Sequence, residues 1–351
     1  MQRFSPSTHQ CRLTLAATLA AALIWPAAAH AADVVWDGGG ADDFWSTDEN
    51  WDTDAVPSDS DDVYVGNASS SSNPVIINSA VDVNRLNIGH DAANNPESGY
   101  VTLTGGALST AKQARIGHFA GGYGKLNIEG GTVEFVAGNS NDAWLIGLNG
   151  TGVVNISGGT VIGQGGGDET LLGTDAGNGT MSISGAANIT FSESFTVGGG
   201  TGSGTLVLDG SITGGGSDVV MNRGGSNRMQ FLDNSTLRAV IDQDAIDDPD
   251  VMRQILFTST QNSSSNVLFA DGSLLDLGFA SGVTPASGTW TLVSTAAGLT
   301  DNGLALAPGV DAGWSFSTDG GQLTVSYIPE PTSASAMLIL GGMIGLMRHR
   351  R

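Results

Sequence analysis

Val101-Thr102-Leu103-Thr104-Gly105-Gly106 is one copy of a phrase that recurs through the middle of this chain. The phrase reads apolar, polar, apolar, polar, Gly, small. It returns as Leu126-Asn127-Ile128-Glu129-Gly130-Gly131 and Val154-Asn155-Ile156-Ser157-Gly158-Gly159, then as Met181-Ser182-Ile183-Ser184-Gly185-Ala186 and Leu206-Val207-Leu208-Asp209-Gly210-Ser211. Strict alternation has a period of two, the signature of a strand with one buried face. The glycines that follow let the backbone reach positive φ and turn a corner. Most corners lead into a second apolar run, such as Thr132-Val133-Glu134-Phe135 or Asn188-Ile189-Thr190-Phe191. A third phrase precedes the next repeat: Arg115-Ile116-Gly117, Leu145-Ile146-Gly147, Leu171-Leu172-Gly173, Thr196-Val197-Gly198, with Leu86-Asn87-Ile88-Gly89 as an earlier copy.

A unit of three short strands cannot bury its own apolar face, but stacked units can. The expected fold is therefore all-β: a right-handed parallel β-solenoid (β-helix) of about five to six coils, with an N-terminal cap and a C-terminal β extension. Coils about 4.8 Å apart make a rod roughly 25–30 Å long. Leu103, Ile128, Ile156, Ile183 and Leu208 should form one inner column. An antiparallel sandwich also uses short strands and many glycines, but has no reason to repeat one phrase at one spacing.

Composition agrees. The chain has 351 residues, 52 of them Gly, and no long helical periodicity. Its 13 Lys+Arg against 35 Asp+Glu give a net charge of −22, which repels nucleic acid and anionic lipid. Residues 1–32 read as a secretory signal peptide. Arg3 and Arg12 precede an apolar run at 13–25, and Ala29-His30-Ala31 offers a small-residue cleavage site. Cys11, the only cysteine, lies inside it, so the exported body holds no disulfide and relies on stacking. The organisation read from the sequence is a signal peptide at 1–32, a capping segment at 33–85, solenoid repeats at 86–227, a C-terminal β region or cap at 228–328, and a tail at 329–351. In the C-terminal region, strands are expected at 228–232, 254–258, 266–269, 289–294, 313–317 and 322–327.

Candidate site residues are few. Trp36, Trp45 and Trp51 alternate with Asp37, Asp42, Asp43, Asp48, Glu49, Asp52 and Asp54; they suit a cap over the open solenoid end, or a sugar-stacking platform beside carboxylates. His90 and His118 occupy equivalent places one coil apart, an exposed turn position that supplies too few ligands for a metal. Lys112, Arg115 and Lys125 are the cations a polysaccharide lyase of β-helix fold would want. Asp242, Asp244, Asp247, Asp248 and Asp250 could ligate Ca²⁺, or form a solvated loop leading into a short helix near 249–254. Gly165-Gly166-Gly167-Asp168 falls short of the tandem Gly-Asp calcium motif. No Ser-His-Asp grouping or carboxylate pair stands out, so the reading assigns no catalytic residue, no metal ligand and no cofactor.

The chain ends in Pro329-Glu330-Pro331, a short polar spacer, an apolar run at 336–347, and Arg348-His349-Arg350-Arg351. This order resembles the PEP-CTERM sorting domain of Gram-negative surface proteins. The basic end stays cytoplasmic, and twelve residues span about 18 Å as a helix, short against a hydrocarbon core of about 30 Å. A transient membrane stop fits better than a permanent anchor. The resemblance implies that an exosortase, a membrane-bound processing enzyme, recognises Pro329, Glu330 and Pro331, with Arg348, Arg350 and Arg351 as the basic end. The product would then reach the outer surface or an exopolysaccharide matrix. The pattern of Trp36, Trp45, Asn50-Trp51 and Pro57 resembles the start of autotransporter-like β-helix passengers. The expected function is that of a non-enzymatic surface or matrix solenoid contacting exopolysaccharide. A lyase-like enzyme and an autotransporter-type adhesin are the alternatives.

Overall fold

The structure, a computed structural model, describes residues 32–136, 144–164, 169–222, 229–258, 266–296 and 298–330. The signal-peptide reading, the Gly165–Asp168 run, Pro331 and the rest of the tail lie outside the described residues.

Each turn of the chain lays down one strand in each of three parallel sheets. The third coil shows the plan: Ala114–Ile116 in the first sheet, Tyr123–Ile128 in the second, Thr132–Val136 in the third. The fourth coil repeats it with Trp144–Ile146, Thr151–Ile156 and Thr160–Gln164, each hydrogen-bonded in parallel register to its counterpart below. The chain is thus an all-β parallel solenoid. The expected inner column is present. Leu103, Ile128, Ile156, Ile183 and Leu208 are successive Cα partners, all buried. Ile77 extends the column at one end, and Ala239 and Leu277 at the other.

The rod is longer than the repeat phrase marks. Coiling begins with Asp62–Val65, Val75–Ile77 and Ala80–Val83, inside the segment read as a cap. It continues through Met229–Phe231, Ser235–Ile241 and Ile255–Phe257, then Val267–Phe269, Leu274–Phe279 and Gly288–Thr295. A partial last turn follows, Leu299–Asp301 with Ala305–Leu306. About nine turns replace the expected five to six, and most of the supposed extension is solenoid. At about 4.8 Å per coil the shaft is about 40 Å long. Strands Ser235–Ile241 and Leu274–Phe279 escaped the sequence reading because no Gly pair follows them. The helix Gln243–Asp247, capped by Asp242, turns the first of these corners instead.

The corner between the first and second sheets depends on glycine. Gly117, Gly147 and Gly173 hold φ of +60° to +64°. A Cβ at Gly152, the second strand residue across that corner, would lie 2.4 Å from Gly147 N and 2.3 Å from Ile116 O. Backbone packs on backbone there, so only glycine closes the turn.

Both ends are sealed by aromatic rings. Trp36, Trp45 and Trp51 are buried at the N-terminal end, with Trp51 edge-on to both neighbours at 5.1 and 4.6 Å. Trp51 Nε1 donates to Trp45 O at 2.8 Å. At the other end, the hairpin Trp314–Asp319/Gln322–Tyr327 adds two antiparallel strands to the third sheet, and Trp290, Trp314 and Tyr327 cluster around Phe279. Arg253 is fully buried where the seventh coil turns. Its guanidinium donates to Ala187 O at 3.0 Å, to Gly185 O at 2.6 Å and to Ser217 O, tying three coils together.

If the inner column carries the stability, Ile156→Ala should cost about 2–5 kcal/mol and lower the urea midpoint accordingly. Ser157→Ala, one residue on and exposed, should stay within about 0.5 kcal/mol.

Candidate functional site

The aromatic and acidic N-terminal segment is a cap and not a sugar platform, because its tryptophans are covered. Its carboxylates hold loops. Asp42 accepts from Phe44 N and Thr47 Oγ1 at 3.2 and 2.7 Å, Asp52 from Val35 N at 2.9 Å, and Asp48 from Val56 N at 3.2 Å. The acids of residues 242–250 act likewise. Asp242 accepts from Ala245 N, Ser211 N and Ser211 Oγ at 3.0, 2.8 and 2.6 Å. Burial pushes its carboxyl up, but these bonds outweigh burial and leave it below the ordinary value. Asp248 caps the 3₁₀ turn Pro249–Val251, so the helix comes earlier than the sequence suggested. Among the described residues, no three His, Cys, Asp or Glu side chains gather as a metal site.

His90 is buried, against the expectation of an exposed turn, and His118 is half-buried. Phe119 lies edge-on to both, with ring centroids 4.6 Å from His90 and 4.7 Å from His118. The imidazoles flank this ring. His90 Nδ1 lies 3.0 Å from Asp91 O. Burial, and then the Arg115 charge, push His118 down to about 4; burial also lowers His90.

The three cations that suggested a lyase stand on different surfaces. Lys112 occupies the exposed corner before the first sheet. Arg115 lies on the first sheet's outer row and donates to Gln113 Oε1 at 3.0 and 2.7 Å. Lys125 lies on the second sheet. The structure does not bring them together. An open groove of about 310 Å³ lies on the third sheet near the C-terminal end, lined by Asp250, Gln254, Leu256, Thr291, Ser294 and Gln322. It sits at the low end of ligand-pocket sizes.

The broadest surface is the outer face of the second sheet. Between the second and sixth coils its strands run six or seven residues, against three or four in the first sheet. Three outward rows cross these five coils. One is Ser98, Tyr123, Thr151, Asn178 and Ser203; the next is Tyr100, Lys125, Val153, Thr180 and Thr205; the third is Thr102, Asn127, Asn155, Ser182 and Val207. Lys125 is the single charged residue among them, on a chain with 35 acids. The tyrosines are diagonal neighbours with ring centroids 5.5 Å apart and planes at 44°. Both are half-buried, and burial raises the Tyr123 phenol above its ordinary value. Asn155 Nδ2 donates to Asn127 Oδ1 at 3.0 Å, and Asn127 Nδ2 to Thr102 Oγ1 at 3.3 Å. The repeat phrase points its apolar positions into the core, and the polar positions between them form this face.

Comparison with known protein families, with curated proteins and with solved structures found no match to this chain. Among the described residues no helix is long and apolar enough to cross a membrane. Glu330 and Pro329 follow the last hairpin at its exposed end, and the remaining tail residues singled out lie outside the described residues.

The two histidines set a pH response. His118 is depressed to about 4 from an ordinary 6.5, so folding favours its neutral form. That contribution is complete above pH 6.5 and is lost as pH falls towards 4. Urea midpoints should drop through this window, and His118→Gln should flatten the drop.

Proposed function

We propose that this protein is an exported, non-enzymatic β-solenoid of a cell surface or extracellular matrix, sorted and cut through its C-terminal tail and contacting exopolysaccharide. The observation that carries the reading is the tripartite tail. Pro329-Glu330-Pro331, the apolar run at 336–347 and the basic end stand in that order after a chain that opens with a signal-like segment. The partner it calls for is an exosortase-type processing enzyme in the inner membrane, with residues 336–347 held in that membrane only until the cut.

The body suits such a destination. A parallel stack derives its stability from repeated interfaces between neighbouring coils. It therefore needs no disulfide, and the only cysteine, Cys11, lies in the segment expected to be removed. The acidic surface keeps the rod soluble and free of anionic lipid and nucleic acid. A regular shaft offers the same contacts coil after coil, which fits a matrix component better than a single-turnover pocket.

Deleting Pro329–Pro331 should leave an uncut precursor in the membrane fraction, measured by the mass and location of the chain in a host with an exosortase. An unchanged mass and location would refute the sorting reading.

A further inference from the structure

We infer that the outer face of the second sheet, from the second to the sixth coil, binds an uncharged linear polysaccharide lying along the rod axis. The inference rests on the reading that the chain is exported, since only there does it meet such polymers.

Charge selects the class of ligand. The chain carries −22 overall, and that field repels a polyanion at long range. The three outward rows of the second sheet hold no carboxylate; the next outward row, along one edge of the strip, carries Glu129 and Asp209, the second of them inside strand Ser203–Asp209. A neutral polymer approaches this strip without desolvating a buried charge, and one lysine is too little to hold an acidic one against the rest of the surface.

Chemistry then selects a carbohydrate. Tyr100 and Tyr123 give a sugar ring two adjacent aromatic surfaces, each with a polar tip. Beyond them the face is mostly hydroxyl and amide, interrupted by Lys125, Val153 and Val207. The Asn127–Asn155 ladder fixes each amide by one hydrogen on the coil before, leaving the second hydrogen of Asn155 and its carbonyl oxygen for a ligand. Donors held in place lose little entropy on binding. Coils repeat about every 4.8 Å along the axis, and outward positions about every 7 Å along each strand. An extended chain of pyranose rings presents its hydroxyls at a similar repeat, so successive sugars meet successive coils. Every strand of the face, and the corners beside it, lie within the described residues.

The test is native affinity electrophoresis of the purified full-length chain in gels containing glucomannan, hydroxyethyl cellulose or dextran, with alginate as the acidic control. Retardation by at least one neutral polymer, unchanged by added salt, is expected. Tyr100→Ala and Tyr123→Ala should each weaken it about tenfold, the equivalent of about 1.4 kcal/mol. Thr180→Asp, which places a charge in the middle row of the strip without breaking the amide ladder, should weaken it as well while leaving the urea midpoint close to that of the parent. It covers the case in which a tyrosine variant fails to fold. Three results would each overturn the inference: no retardation by any neutral polymer, binding to alginate alone that salt abolishes, or self-association in sedimentation that the same substitutions remove. This assay does not involve the tail, so it succeeds or fails separately from the sorting experiment.

Discussion

Backbone hydrogen bonding between successive coils is the interaction on which everything else in this molecule depends. It fixes one spacing along the axis. Each side chain then meets its equivalent one coil away, inward or outward. Inward, the consequence is a continuous apolar column from Ile77 to Leu277. Outward, the consequence is that any residue type repeated in the phrase becomes a stripe. Glycine makes the spacing attainable: at the corner between the first and second sheets, main chain touches main chain and leaves no room for a Cβ.

A stack has two exposed ends, and the molecule treats them differently. The N-terminal end is covered by rings from one short segment, its loops held by aspartates. The C-terminal end reverses chain direction, and the hairpin brings aromatic rings over the last coils. Where the regular phrase ceases, polar devices replace glycine. Asp242 caps a short helix, and Arg253 supplies donors to carbonyls of earlier coils.

Much of the architecture was legible in the sequence. The alternation with its Gly pair marked the second sheet and the corner after it, and the five-residue column was read correctly by position. The rod's true length was not legible, because Ser235–Ile241 and Leu274–Phe279 end in corners built without that pair. His90 misled for a related reason. Its place after a turn glycine suggested exposure, but Phe119, from the next coil, covers it. The second-sheet face was in plain view as Thr102, Asn127, Asn155 and Ser182, yet only register shows that they are neighbours. The proposed signal segment and sorting tail rest on the sequence alone.

The reversed hairpin has one further consequence. It carries the third sheet one strand past the other two, so the rod ends in a step. A flat partner surface arriving end-on meets the third sheet first, whereas an open, level parallel stack is a template for fibre growth. The step therefore blunts this end of the stack, much as short or twisted edge strands blunt an open sheet.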